Sequence, residues 1–217
     1  DRVMPIYMSG WHDGGISERH SGWKGLGGDT DGTATELAVF HEEDGAAIPN
    51  SLSYEEAACI PCAGVTAWHA LISSGRIKAG DDVLILGSGG VSIFGLQIAL
   101  MNGARVLAIS SNDKKLEKLR ELGASITINY KNTPDWDQQI LLETANTGVD
   151  HVLEVVGEST MERSIHATAI QGNISVVGDL SGALSQLGTS KRGIRLSEIV
   201  VGSRMMMEQL LRAITLH

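Results

Sequence analysis

The sequence predicts an α/β fold built on a doubly wound parallel sheet of six strands with helices on both faces. Three observations predict it. From Asp81 onward, short runs rich in β-branched residues alternate with segments of helical length. Those runs are almost continuously apolar, as a strand reads when both of its faces are covered. The first of them, VLILG, ends in glycines and passes directly into a helical pattern.

The elements follow in order. DDVLILG leads to the helix VSIFGLQIALMNG, RVLAIS to KKLEKLRELG, SITINY to DWDQQILLETANTG, and HVLEVVG to STMERSIHATAI. NISVVGDL is the fifth strand and IRLSEIVVGS the sixth, before a last helix in MMMEQLLRAI. Upstream of Asp81 the texture differs. Gly10 to Gly32 is glycine-rich and reads as a long surface loop. ATELAVF reads as a short alternating strand with Leu37 and Val39 on one face. In SLSYEEAAC, Ser53 and Glu56 form a capping box that opens a helix. Pro61 is expected to interrupt it, and GVTAWHALISSG makes a second helical segment closing at Gly75.

Composition excludes several classes. A formal charge of −9 over 217 residues offers no basic footprint for nucleic acid. No apolar run reaches the roughly 18 residues of a membrane helix, so no membrane partner is expected. The two cysteines, Cys59 and Cys62, lie too close along the chain for a disulfide framework, and a cytoplasmic, reducing setting is the simplest expectation. The abrupt start at DRVMPIY and the end at EQLLRAITLH lead us to expect a chain cut at both ends.

The glycine turn GSGGVS carries the chemistry. Strand before and helix after make it a Rossmann dinucleotide loop, with a pyrophosphate expected at the helix N-terminus. Gly87 permits the tight turn and Gly89 the close approach of backbone amides. The third glycine of the usual G-x-G-x-x-G spacing is Ser92 here, but Ser92, Gly95 and Ala99 form one small stripe, so Gly95 is expected to supply close packing one turn later. About twenty residues on, NAD binders place an acid that accepts hydrogen bonds from the adenosine ribose. This chain has Ser110 there, then Ser111, Asn112, Asp113, Lys114 and Lys115. Asp113 falls three residues late and is expected to cap the following helix. A serine accommodates a 2′-phosphate and a nearby lysine pairs with it, so the expected cofactor is NADP(H).

CAGVTAWHAL, GSGGVSIFGLQIA, LGASITINY and VDHVLEVVG, in this order, resemble the medium-chain dehydrogenase/reductase superfamily over essentially the whole chain, closest to its alcohol dehydrogenase-like and quinone oxidoreductase-like members. The resemblance implies a partial GroES-like, β-rich catalytic domain in residues 1–64 and a Rossmann domain in residues 65–217, with the beginning and the closing segment of the catalytic domain missing. It implies Thr66 against the nicotinamide, Gly87, Gly89, Gly90, Val91 and Ser92 at the pyrophosphate, and Ser110 at the acid position of NAD-using relatives. It further implies Lys115 and Tyr130 at the adenosine phosphate, and Val155, Val156, Gly157, Gly178 and Asp179 lining the nicotinamide. Cys62 aligns with a catalytic zinc ligand, but no structural zinc is expected in residues 1–50, which contain no cysteine, and a buried structural role is favoured for Cys62. No metal ligand is assigned. His12 and His20 sit in the glycine-rich loop, either over a substrate cleft or as solvated residues, and no catalytic residue is assigned.

The expected activity is hydride transfer between the nicotinamide and a small alcohol, aldehyde or ketone. Alternatives are a zinc-free quinone or enone reductase, a reductase module of a larger synthase, and a non-catalytic NADPH-binding or sensing protein. The expected partners are a small-molecule substrate and a second copy of the chain, paired through the sixth strand. That strand region carries Ile194, Leu196, Ile199, Val200 and Val201.

Overall fold

The computed structural model of the chain describes residues 1–15, 24–178 and 192–216. Contacts divide the chain into residues 69–200 and a second unit made of residues 1–68 with 201–217.

In the unit containing both termini, β1 (Val3–Pro5) pairs antiparallel with β2 (Gly45–Ala47). Helix α1 (Tyr54–Ala58) opens on the expected capping box: Glu56 N–H donates to Ser53 Oγ at 3.1 Å, and Ser53 N–H donates to Glu56 Oε2 at 2.8 Å. Pro61 does not end the helical path. It sits in the first turn of a π-helical segment, Ile60–Gly64, where a missing amide costs nothing, and α2 (Val65–Trp68) follows directly. Trp11 is fully buried, so the described part of the glycine-rich loop is not wholly on the surface. The C-terminal helix Arg204–Leu216, α7, packs on α2 and β2, burying Met207, Leu210 and Leu211.

One expected strand is absent. ATELAVF takes no regular structure, and Leu37 and Val39 are 90% and 100% exposed. Alternation specifies a strand only where a neighbour takes the backbone hydrogen bonds and a core takes the apolar face, and among the described residues neither is present.

Residues 69–200 hold the expected parallel sheet. Its strands are β3 (Asp82–Leu86), β4 (Arg105–Ser110), β5 (Ile126–Asn129), β6 (Val149–Glu154), β7 (Thr168–Val176) and β8 (Arg195–Glu198). Their order is β5-β4-β3-β6-β7-β8, every neighbouring pair parallel. Helices α3 (Gly90–Met101), α4 (Asp113–Glu121), α5 (Trp136–Glu143) and α6 (Glu158–Ala167) connect them. The strands are apolar on both faces because both are used. Leu84, Leu86, Leu107 and Ile109 join Trp136, Ile140 and Met161 in one core, while Ile85 and Leu153 meet Gly95 of α3. The expected sixth helix stops earlier than predicted: Thr168 to Ile170 belong to β7, whose β-branched residues suit the sheet.

Strand order reverses between β3 and β6, the place where such sheets open a crevice beyond their carboxyl ends.

Candidate functional site

The turn between β3 and α3 forms one wall of this crevice. Gly87 has φ +74°, a left-handed conformation favouring glycine, and its N–H donates to Ile109 O at 2.8 Å. Gly89 caps α3 without a side chain, and no atom lies within 4 Å of where its Cβ would stand. Gly89 and Gly90 are exposed, and a phosphate seated there would meet the first amides of α3, which have no carbonyl partner within the helix. Val91 is half-buried at the same helix start.

The serine in place of the third glycine has a definite role. Ser92 is buried, and its Oγ donates to Leu86 O at 2.7 Å, tying the first turn of α3 to the end of β3. Close packing moves to Gly95, where an added Cβ would stand 2.4 Å from Leu153 Cδ2.

The opposite wall comes from the ends of β6 and β7. Gly157 has φ +109°, and a Cβ on Gly178 would stand 2.4 Å from Val156 C and 2.6 Å from Gly157 N. Only glycine lets these two turns touch. Val155 is half-buried and Val156 is exposed beside them. Gly87, Tyr130 and Val156 line one cavity of about 350 Å³, with Leu86, Ile109 and Trp136 among its apolar walls and Thr160 and Arg163 at its polar side. The sequence did not single out Trp136, Thr160 or Arg163, because they come from helices distant in sequence and carry no motif.

Ser110, Ser111 and Lys115 lie at the end of β4 and the start of α4, outside the lining of that cavity. Ser110 is buried and pairs in register with Asn129, and Lys115 is exposed. The expected capping residue is corrected here. Asn112 caps α4, its side chain accepting from Lys115 N–H at 3.1 Å, because it sits just before the first helical residue. Asp113 is that first residue, and its carboxylate accepts from Asn129 Nδ2 at 2.6 Å, lining a separate groove along α4 and β5. Asp179 lies outside the described residues. Thr66 belongs to the other unit, buried, with its hydroxyl donating to Cys62 O at 2.6 Å.

That other unit carries a polar cluster the sequence did not foretell. Asp44 is buried and accepts from Ser9 Oγ, from Gly10 N–H at 2.9 Å, and pairs with His12 Nε2 at 2.9 Å. Burial works to raise its pKa, but these hydrogen bonds outweigh it and hold the group below the usual carboxylate value. His12 is thereby tied to a structural carboxylate. His20 lies outside the described residues. His151 pairs with Asp81 at 3.1 Å where β6 begins, away from the glycine turn at the other end of the sheet.

Cys62 is exposed, contrary to the buried role expected for it: its turn lies at the rim of an apolar groove. Enough chain crowds the thiol for burial to push its pKa up even so. Among the described residues no group of three or more histidines, cysteines or acids is placed to hold a metal, so Cys62 does not belong to a zinc-fitting set there.

A family model described as zinc-binding dehydrogenase matches residues 90–215, more than half of the chain. The chain belongs to that family. It is thus a member of the medium-chain, alcohol dehydrogenase-like oxidoreductases. A zinc-type alcohol dehydrogenase-like protein of Schizosaccharomyces pombe is 44% identical over 182 residues, covering 82% of this chain and 52% of that protein. A solved NAD-dependent alcohol dehydrogenase is 32% identical with a TM-score of 0.85, covering 98% of this chain and 64% of that one. The mycobacterial protein Rv1454c, solved in complex with NADPH, is 25% identical with a TM-score of 0.71, covering 80% of this chain and 57% of that one. The chain spans about half the length of the curated relative it matches. None of its described helices is long and apolar enough to cross a membrane.

Proposed function

We propose that this chain supplies the cofactor site of an NADP(H)-dependent oxidoreductase acting on a small alcohol, aldehyde or ketone. The cofactor, when bound, supplies the hydride donor or acceptor. The chain's part is to hold and orient it. The open amides at the start of α3 suit the pyrophosphate, and the cavity beside Gly87 and Tyr130, walled by Ile109, Val156 and Trp136, suits a flat aromatic base. We assign the backbone of Val156, Gly157 and Gly178 to the nicotinamide side.

The relatives differ in the cofactor they name, one NAD and one NADPH. The choice of NADP(H) rests on the end of β4. Its last residue is a buried serine, and the nearest acid, Asp113, is held by Asn129. No carboxylate at Ser110 repels a 2′-phosphate, and Lys115 in the first turn of α4 is exposed and available to pair with one. NADPH should bind about ten- to a hundredfold more tightly than NADH, the worth of one hydrogen bond to a charged group. Ser110→Asp should reverse the order, and Lys115→Ala should weaken NADPH alone. Fluorescence titration of each variant with both reduced cofactors tests this. Equal affinities in the parent, or a Ser110→Asp variant still preferring NADPH, would overturn it.

Self-association through β8 is part of the same proposal. Ile194 and Ile199 are buried within the chain, as is Val201, which leaves Val200 as the exposed apolar residue and weakens the apolar argument. The support that remains is backbone: among the described residues β8 pairs only with β7. Sedimentation showing only monomer at micromolar concentration would refute it.

A further inference from the structure

Glu154, the last residue of β6, is fully buried and was singled out by no motif. Its Oε1 accepts from Val156 N–H at 2.9 Å, Gly157 N–H at 3.1 Å and Thr160 Oγ at 2.8 Å. Its Oε2 accepts from Ser164 Oγ at 2.5 Å. Its main-chain oxygen accepts from Val177 N–H at 2.8 Å and Gly178 N–H at 3.1 Å. One residue therefore fastens the turn after β6, the first turns of α6, and the end of β7.

A buried carboxyl group is costly unless its acceptors are used. Here two of the four hydrogen bonds it accepts come from the backbone that faces the crevice, and two from the hydroxyls of Thr160 and Ser164. Gly157 stands at φ +109°, and Gly178 touches the Val156–Gly157 peptide too closely for any Cβ. The two turns can hold this contact only while something fixes the path of the first. We propose that Glu154 is a positioning residue of the cofactor site: its side chain sets the Val156–Gly157 turn against Gly178 and so fixes the backbone that meets the cofactor. This rests on the reading above that these turns receive a nicotinamide cofactor.

Reach separates positioning from simple stability. Glu154→Gln keeps the length of the side chain and an oxygen for the two amides. Glu154→Asp keeps a carboxyl group but draws it back by one methylene, too short for both amides at once. Ser164→Ala removes the partner of Oε2 and leaves the turn untouched. In the 217-residue chain, titrated with NADPH and NADH and melted in parallel, Glu154→Asp should weaken cofactor binding by about tenfold, the equivalent of one hydrogen bond. Glu154→Gln should stay within about threefold of the parent. Ser164→Ala should melt lower yet bind within about threefold. Amide hydrogen exchange of the parent should find Val156 and Gly157 protected, a measurement that stands even if Glu154→Asp does not fold.

Binding by Glu154→Asp equal to the parent, affinity falling in step with melting temperature across all three variants, or fast exchange at both amides would overturn the positioning role alone. A folded parent that binds neither cofactor would overturn the proposed function, and this inference with it.

Discussion

Restoring the expected glycine at position 92 should destabilise the protein. Ser92 donates its hydroxyl to Leu86 O across 2.7 Å, and the side chain is 1% exposed. Ser92→Gly removes that donor, leaving a buried carbonyl with one partner fewer, a loss of about 1–2 kcal/mol. Glycine inside α3 adds about 0.5 kcal/mol, because its backbone loses more freedom on folding than that of serine. The sum is about 2 kcal/mol, or a melting temperature lower by about 4–8 °C for a chain of this size. Cofactor affinity should change less than about threefold, because the hydroxyl is directed at Leu86 rather than at the open end of the helix. Calorimetry of parent, Ser92→Gly and Ser92→Ala checks the ledger, with the alanine variant isolating the hydrogen bond. A Ser92→Gly protein as stable as the parent would show that the bond contributes nothing, and that the serine merely fills space.

Gly95→Ala should cost about 1–3 kcal/mol, because its methyl meets the fully buried Leu153, which must leave its rotamer to admit it; unchanged urea unfolding would refute the close packing assigned to that position. Gly178→Ala meets backbone rather than a side-chain tip, so it should displace the turn after β6 and weaken cofactor binding by about tenfold or more, which isothermal titration reads. Asp44→Asn should lower stability by about 1–3 kcal/mol at neutral pH. Because the folded pKa of Asp44 lies below the ordinary 3.8, its contribution is fully present above the unfolded value and lost as pH falls through the folded one. The gap between parent and variant should hold steady above about pH 5 and close under more acid conditions. A gap that widens in acid would mean the carboxylate is not what His12, Ser9 and Gly10 stabilise.

The architecture of residues 69–200 was legible because its signals are local. Apolar runs covered on both faces, glycines at a strand–helix turn and helix-length spacers each depend on a few consecutive residues, and they marked all six strands of the parallel sheet. The capping box of Ser53 and Glu56 was legible for the same reason: both partners sit within one turn. Where reading depended on a distant partner, it failed. Alternation in ATELAVF is a strand pattern without a neighbouring strand, so Leu37 and Val39 stand in solvent. Asp113 is held by Asn129, a side chain on β5, while Asn112 takes the helix amide. Residue type alone could not reveal that Ser92 bonds to Leu86 O or that Gly95 admits Leu153, since both facts are distances between elements. Glu154 shows the limit most clearly. In sequence it is one acid ending an apolar run, and only the meeting of β6, α6 and β7 brings six other residues within hydrogen-bonding reach of it. Local propensity and periodicity determine which elements form, whereas which polar groups are satisfied depends on contacts that exist only after the sheet has closed around them.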